Sequence, residues 1–173
     1  GSGWNRLVDG LAGGWTISSI MMFQSGPHLT PFFSSHCQAG TDCSSRSLPD
    51  VVAGVDPNSG PKTTEAWFNT AAFTKAPFLS STGTAIFAGR FGNAGVGTVI
   101  GPPIAQVDVG MFKDVRVTER WKLRVQAQSR NLPNHPNFTN PNMNMDSADF
   151  GKIRGLNGNA YSRVITAGLR LLF

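Results

Sequence analysis

Residues 105–130, AQVDVGMFKDVRVTERWKLRVQAQSR, alternate with a period of two over most of their length. Ala105, Val107, Val109, Met111, Val115, Val117, Trp121, Leu123, Val125 and Ala127 hold odd positions, while Gln106, Asp108, Asp114, Arg116, Lys122, Arg124, Gln126 and Gln128 hold even ones. Successive side chains of a strand point to opposite faces, whereas a helix repeats its apolar positions every three to four residues. The stretch therefore reads as strand. Thr118, Glu119 and Arg120 interrupt the alternation where two strands would reverse, which makes an antiparallel hairpin with a short turn. Each arm has about 11 residues, the length of a strand that crosses a bilayer at a tilt.

Two environments produce such alternation. In a soluble sandwich the apolar face meets a second sheet; in an outer-membrane barrel it meets lipid, and the polar face lines an interior that tolerates charge. The segment from Tyr161 to Phe173 favours the second, because Tyr161, Ile165, Ala167, Leu169, Leu171 and Phe173 again share a face. A strand that closes on an aromatic residue resembles the assembly signal of outer-membrane barrels. GGWTISSIMMFQSG near the start adds another strand, with Trp15, Ile17, Met21 and Phe23 opposite Thr16, Ser18 and Gln24, and with Ile20 and Met22 breaking the polar side. The reading is all-β, with four antiparallel strands at about 13–25, 104–117, 120–131 and 161–173. No run of 18 apolar residues exists, so a helical span is excluded and a barrel strand is not.

The net charge of +5 is unevenly placed. Arg6, Arg46, Lys62, Lys75 and Arg90 balance Asp9, Asp42, Asp50, Asp56 and Glu65, so the excess lies beyond residue 103. There it follows the strands: Arg116, Lys122, Arg124, Arg130 and Arg170 fall on the polar face and form a basic wall. Aromatic residues are not interleaved with them as a nucleic-acid stripe requires, and no nucleic-acid partner is expected.

From Pro27 to Pro103 the periodicity dissolves into Gly, Pro, Ser, Thr and Asn. A stretch of that length is a functional loop or a folded cap. Cys37 and Cys43 within it suit a disulfide formed outside the cytosol. A metal site from His28, His36, Cys37 and Cys43 is the other reading, although no CxxC or HxxxH spacing supports it. Residues 131–144, NLPNHPNFTNPNMN, make turns and local Asx bonds, and the carboxamides of Asn131, Asn134, Asn137 and Asn140, with His135, form a possible ligand loop. Signatures of hydrolases, metallopeptidases and nucleotide binders are missing, so no catalytic residue and no cofactor are nominated. A set assembled from Ser25, His28 and Asp50 has no motif behind it. Asp146 and Asp149 are a weak calcium candidate.

Seven blocks carry a family resemblance: WFNTAAF at 67–73, FGNAG at 91–95, GP at 101–102, VDVGMFKDVRVTERWKLRVQ at 107–126, NHPNF at 134–138, FGKI at 150–153 and the closing GLRLLF. In this order they resemble the C-terminal portion of the Oar-like, carboxypeptidase-regulatory-domain type of TonB-dependent outer-membrane receptors. The strand end before NHPNF departs from that pattern: the family has an aromatic-rich sequence there, and this chain has Gln128, Ser129, Arg130, Asn131, Leu132 and Pro133. The resemblance implies a barrel of about 22 strands around a plug, import of a bulky nutrient, and energy delivered through TonB. Its implied partners are the remainder of the barrel and plug, TonB through that plug, and the lipid of the bacterial outer membrane.

The resulting expectation is a single unit over 1–173, made of a long loop region at 27–103, a hairpin at 104–131, a loop at 132–160 and a closing strand at 161–173. Long, short and long connections match the outside, periplasm, outside alternation of such barrels. Four strands do not close a barrel, so the open edges are expected to be covered by the long loops, with 27–103 folded back over the apolar face, by copies of the chain, or by a different fold. The alternative is a free-standing soluble β module, a secreted binding protein or hydrolase.

Overall fold

The computed structural model describes residues 12–34, 46–75, 90–158 and 162–173. Cys37, Cys43, His36 and Tyr161 lie outside them, and so does the expected disulfide. Among the described residues eight strands follow in order: β1 (Trp15–Gln24), β2 (His28–Leu29), β3 (Asp50–Val51), β4 (Phe73–Thr74), β5 (Val99–Ile100), β6 (Ile104–Arg116), β7 (Lys122–Arg130) and β8 (Val164–Leu172), with one 3-10 turn at Thr70–Ala72. The fold is nearly all antiparallel β, as the alternation predicts.

The expected single unit over 1–173 divides into two compact units. The first is Gly1–Gln24, Ile104–Asn137 and Asn157–Phe173; the second is Ser25–Pro103 with Phe138–Leu156. The loop expected at 132–160 is therefore shared between them.

The first unit is a four-stranded sheet in the order β1-β6-β7-β8. Each pair is antiparallel, with Ile17 opposite Met111, Met111 opposite Ala127 and Ala127 opposite Ala167. Odd residues pair with odd residues throughout, so one register puts the whole odd set on a single face. The β6 to β7 reversal is closed where Val117 N–H donates to the Trp121 carbonyl at 2.9 Å and Trp121 N–H donates to Thr118 Oγ1 at 3.0 Å. At the other end β7 stops at Arg130, because Asn131 takes a left-handed φ of 47° and turns the chain. Pro133 lies past that turn and removes no ladder bond.

The second unit builds a core from the region that lacks periodicity. Phe68 is its centre, 1% exposed, with its ring edge-on to Phe73 at 6.0 Å and to Phe150 at 5.2 Å. Trp67, Ala72, Ala94, Val99 and Ile153 complete the buried cluster, and Phe138, Met143 and Met145 pack on it. The segment WFNTAAF supplies much of this because Asn69 caps the 3-10 turn, its Oδ1 accepting Ala71 N–H at 3.1 Å, which turns Phe68, Ala72 and Phe73 inward. The strands here are two residues long, β2 with β5 and β3 with β4, so the core rests on aromatic packing rather than on ladders. The described residues of 27–103, together with Phe138–Leu156, thus share an interior of their own.

Candidate functional site: the two faces of the four-stranded sheet

The even face carries the charge. Arg116 lies opposite Lys122, and Arg124 lies between Asp114 and Arg170, so four of the five expected basic residues gather near the β6–β7 turn. Arg124 grips Asp114 with both limbs of its guanidinium, Nε to Oδ1 at 2.7 Å and NH2 to Oδ2 at 2.8 Å, and stacks 4.5 Å above the Phe112 ring. A fork and a ring together fix the direction of a side chain that would otherwise wander, which leaves Arg116, Lys122 and Arg170 as the surrounding cations. Arg130 stands apart at the opposite end, across from Val164. Ile20, 73% exposed, and Met22 interrupt this face on β1, as the sequence indicates.

Between the two ends the even face is uncharged. Gly110, Gln128 and Thr166 form one row, and Phe112, Gln126 and Gly168 form the next. They line a depression of about 140 Å³. It exists because Gly110 and Gly168 carry no side chain: a Cβ on Gly110 would come within 3.1 Å of Ser18 Oγ, and one on Gly168 within 3.3 Å of Gln126 Nε2. The depression offers carboxamides and a hydroxyl to a solute without a strong charge of its own.

The odd face is apolar and open. Ile17, Met21, Phe23, Ile165 and Leu169 are each more than 60% exposed. Near the β6–β7 turn, Trp121 and Phe173 meet with ring centres 5.5 Å apart. Lys113 is the charged residue on this side, and counting the period through position 113 would have found it. Its ammonium donates to the Gly13 carbonyl and lies 5.9 Å from the centre of the Trp15 ring.

The five residues of the expected ligand loop are divided in role. Asn131 is 2% exposed and its carboxamide clasps His135, accepting its N–H and donating to its carbonyl. Its own N–H donates to Asp108 Oδ1, and Gln106 Nε2 donates to the same carboxylate. Asn137 is 1% exposed and binds the backbone of Ala105. Asn134 Oδ1 accepts the Arg163 N–H. These three carboxamides shape the chain, which leaves the exposed His135 ring and Asn140 as the side chains turned outward, Asn140 in the second unit.

Other sequence candidates are taken up locally. His28 Nδ1 bonds the Gly97 carbonyl, and Asp50 accepts a two-pronged bond from Arg90 at 2.8 and 2.6 Å, so Ser25, His28 and Asp50 form no relay. The Arg90 guanidinium holds the Asp50 carboxyl below its usual range, with a bond from Asn93 N–H acting in the same direction. Asp146 pairs with Lys75 and Ser34 N–H, whereas Asp149 pairs with Arg154, which lowers its pKa. Among the described residues no three His, Cys, Asp or Glu side chains come together as metal ligands.

The family model described as an outer membrane beta barrel domain matches residues 1–166. No curated protein and no solved structure matches the chain.

Proposed function

Because the chain belongs to the outer membrane beta barrel domain family, and with it to the bacterial outer membrane, we propose that it forms part of the wall and outer surface of a TonB-dependent transporter that takes up a bulky nutrient. One observation carries this reading: a single register divides the sheet into an open apolar face and a basic, carboxamide-bearing face. The odd face meets lipid and the even face meets the lumen. Strands of this kind rise about 3.4 Å per residue, so the ten residues of β1 span about 34 Å. At the roughly 40° tilt of barrel strands that becomes about 26 Å, which matches an apolar band of about 25 Å.

The lumenal cations Arg116, Lys122 and Arg170 raise the local concentration of anionic solutes, and the Gly110–Gly168 depression gives an uncharged surface for the solute body. The order of the sequence blocks from WFNTAAF to GLRLLF supports TonB coupling and an internal plug. The connection from β1 to β6 is long where the β6–β7 turn is short, which is the alternation of connection lengths found in such barrels.

Growth on peptides, glycans and metal chelates too large for passive pores tests the assignment. Four strains are compared: intact, lacking the gene, lacking TonB, and lacking both. Loss of growth on the same nutrient in both single deletions, with no further loss in the double, is the expected result. Uptake that needs the gene and persists without TonB would make the protein a passive channel.

A further inference from the structure

The second unit carries a hollow of about 450 Å³, larger than the depression on the sheet and within the range that holds a small organic molecule. Its walls are Trp67, Ile100, Pro103 and the touching backbones of Gly26 and Gly101. The protein's own bonds fix them. Trp67 Nε1 donates to the Ile100 carbonyl at 2.9 Å, while Asn58 Oδ1 accepts the Ile100 N–H at 2.9 Å and its Nδ2 donates to the Thr98 carbonyl at 3.0 Å. The polar groups of Trp67 and Asn58 are thereby engaged within the wall, and Ile100, 43% exposed, keeps an apolar side chain at the surface.

Among the described lining residues there is one cation, Lys62, and no carboxylate. Lys62 takes a left-handed φ of 58°, a conformation that is unfavourable for a residue with a side chain and persists where the surroundings hold it. Two residues earlier, Gly60 lets the loop lie on the backbone of Phe68, where a Cβ would come within 2.5 Å. One residue later, Thr63 N–H donates to the Ala66 carbonyl at 3.2 Å and closes a turn. Between these anchors the Lys62 ammonium is carried over the Trp67 ring, 5.5 Å from its centre, and among the described residues it has no acid or carbonyl partner. The acids nearest in sequence are engaged elsewhere, Asp56 with the Asn58 N–H and Glu65 with Arg154.

We infer that this hollow is a binding site for an organic carboxylate with an aromatic or alicyclic body. The body lies against Trp67, Ile100 and Pro103, and the carboxylate meets the Lys62 ammonium. A small anion would use the ammonium and leave the apolar wall wet, whereas a neutral ring would leave the ammonium to water, so wall and charge together select this class. Every lining residue lies between Ser25 and Pro103, and the site needs neither face of the sheet.

The test measures binding of naphthylacetate, naphthylacetamide and acetate to the full protein in nonionic detergent by isothermal titration calorimetry. Wild type and K62R should bind the naphthyl acid about fivefold more tightly than its amide, the upper end of what an exposed ion pair gives, and added salt should narrow the gap. K62M, checked for unchanged near-ultraviolet dichroism, should bind acid and amide alike, and acetate should bind none of the three proteins. Ile100→Glu, which sets a carboxylate in the wall, should weaken the acid more than the amide. Failure of wild type to bind the naphthyl acid, equal affinity for acid and amide in wild type, or an acid that binds K62M as tightly as wild type each overturns the site. Acetate binding as tightly as the naphthyl acid overturns it too, because the wall would then contribute nothing.

Discussion

Asn137 closes on both backbone groups of Ala105: its Oδ1 accepts the Ala105 N–H at 2.8 Å, and its Nδ2 donates to the Ala105 carbonyl at 3.0 Å. The carboxamide acts as a short piece of neighbouring strand at the start of β6. Removing it strands a donor and an acceptor beside a side chain that is 1% exposed. Asn137→Ala should therefore lower stability by about 2–4 kcal/mol, and Asn137→Asp, which keeps the acceptor but turns a buried carboxylate oxygen toward the Ala105 carbonyl, should lower it at least as much. Urea unfolding of the vesicle-inserted protein reads both.

Depth along the odd face sets the second expectation. Val109→Arg places a charge near the middle of the apolar band and should cost about 2–4 kcal/mol, whereas Val115→Arg, at the level reached by the Lys113 ammonium, should cost about 1 kcal/mol or less. Gln126→Arg faces the lumen and should be nearly silent. Equal penalties at all three positions in a folding titration would mean that the sheet does not separate lipid from lumen.

Acid should loosen the second unit through Asp50. Its carboxyl is held below the ordinary 3.8 by the Arg90 fork, so the unfolded chain binds the proton more readily than the folded one. Stability from this pair is complete above the ordinary value and is lost as pH falls through the lower, folded one. Half of Arg90 is exposed, so solvent screens the pair and the effect is modest. Trp67 fluorescence followed through acid unfolding should show a shallower pH slope in Asp50→Asn than in the wild type.

Phe68→Ala should be the most damaging truncation in the second unit, about 3–5 kcal/mol, since it empties the point where Phe73 and Phe150 converge. Phe91→Ala is the matched control, because its ring is 60% exposed. Similar unfolding midpoints for the two variants would show that the aromatic cluster is not what holds this unit.

The sheet was legible because a two-residue period survives the reading of sequence alone: β1, β6, β7 and β8 all fall inside the intervals that alternation marks, within three residues at each end. The same parity reasoning applied at position 113 exposes the charge on the apolar side, which the surrounding valines mask. The second unit gave no such signal. Its core is drawn from single residues such as Val99 and Ile153, far apart in sequence and carried on turns, where no period exists to be read. For the same reason Asn131 and Asn137 resembled ligand-binding carboxamides, since local sequence does not tell a carboxamide that meets solvent from one that meets its own backbone.

Gly26 and Gly101 touch so closely that a Cβ on Gly26 would sit 1.8 Å from the Gly101 carbonyl oxygen, and Gly101 N–H donates to the Pro27 carbonyl at 2.8 Å. These residues are near the two ends of the roughly 80-residue excursion between β1 and β6. Left as a random coil, an excursion of that length opposes the meeting of its ends by about 4 kcal/mol of chain entropy. When the second unit folds first, its Gly26 and Gly101 already stand together, and β1 meets β6 as though across a tight hairpin. With the ends held at Gly26 and Gly101, that entropic opposition to pairing β1 with β6 is removed.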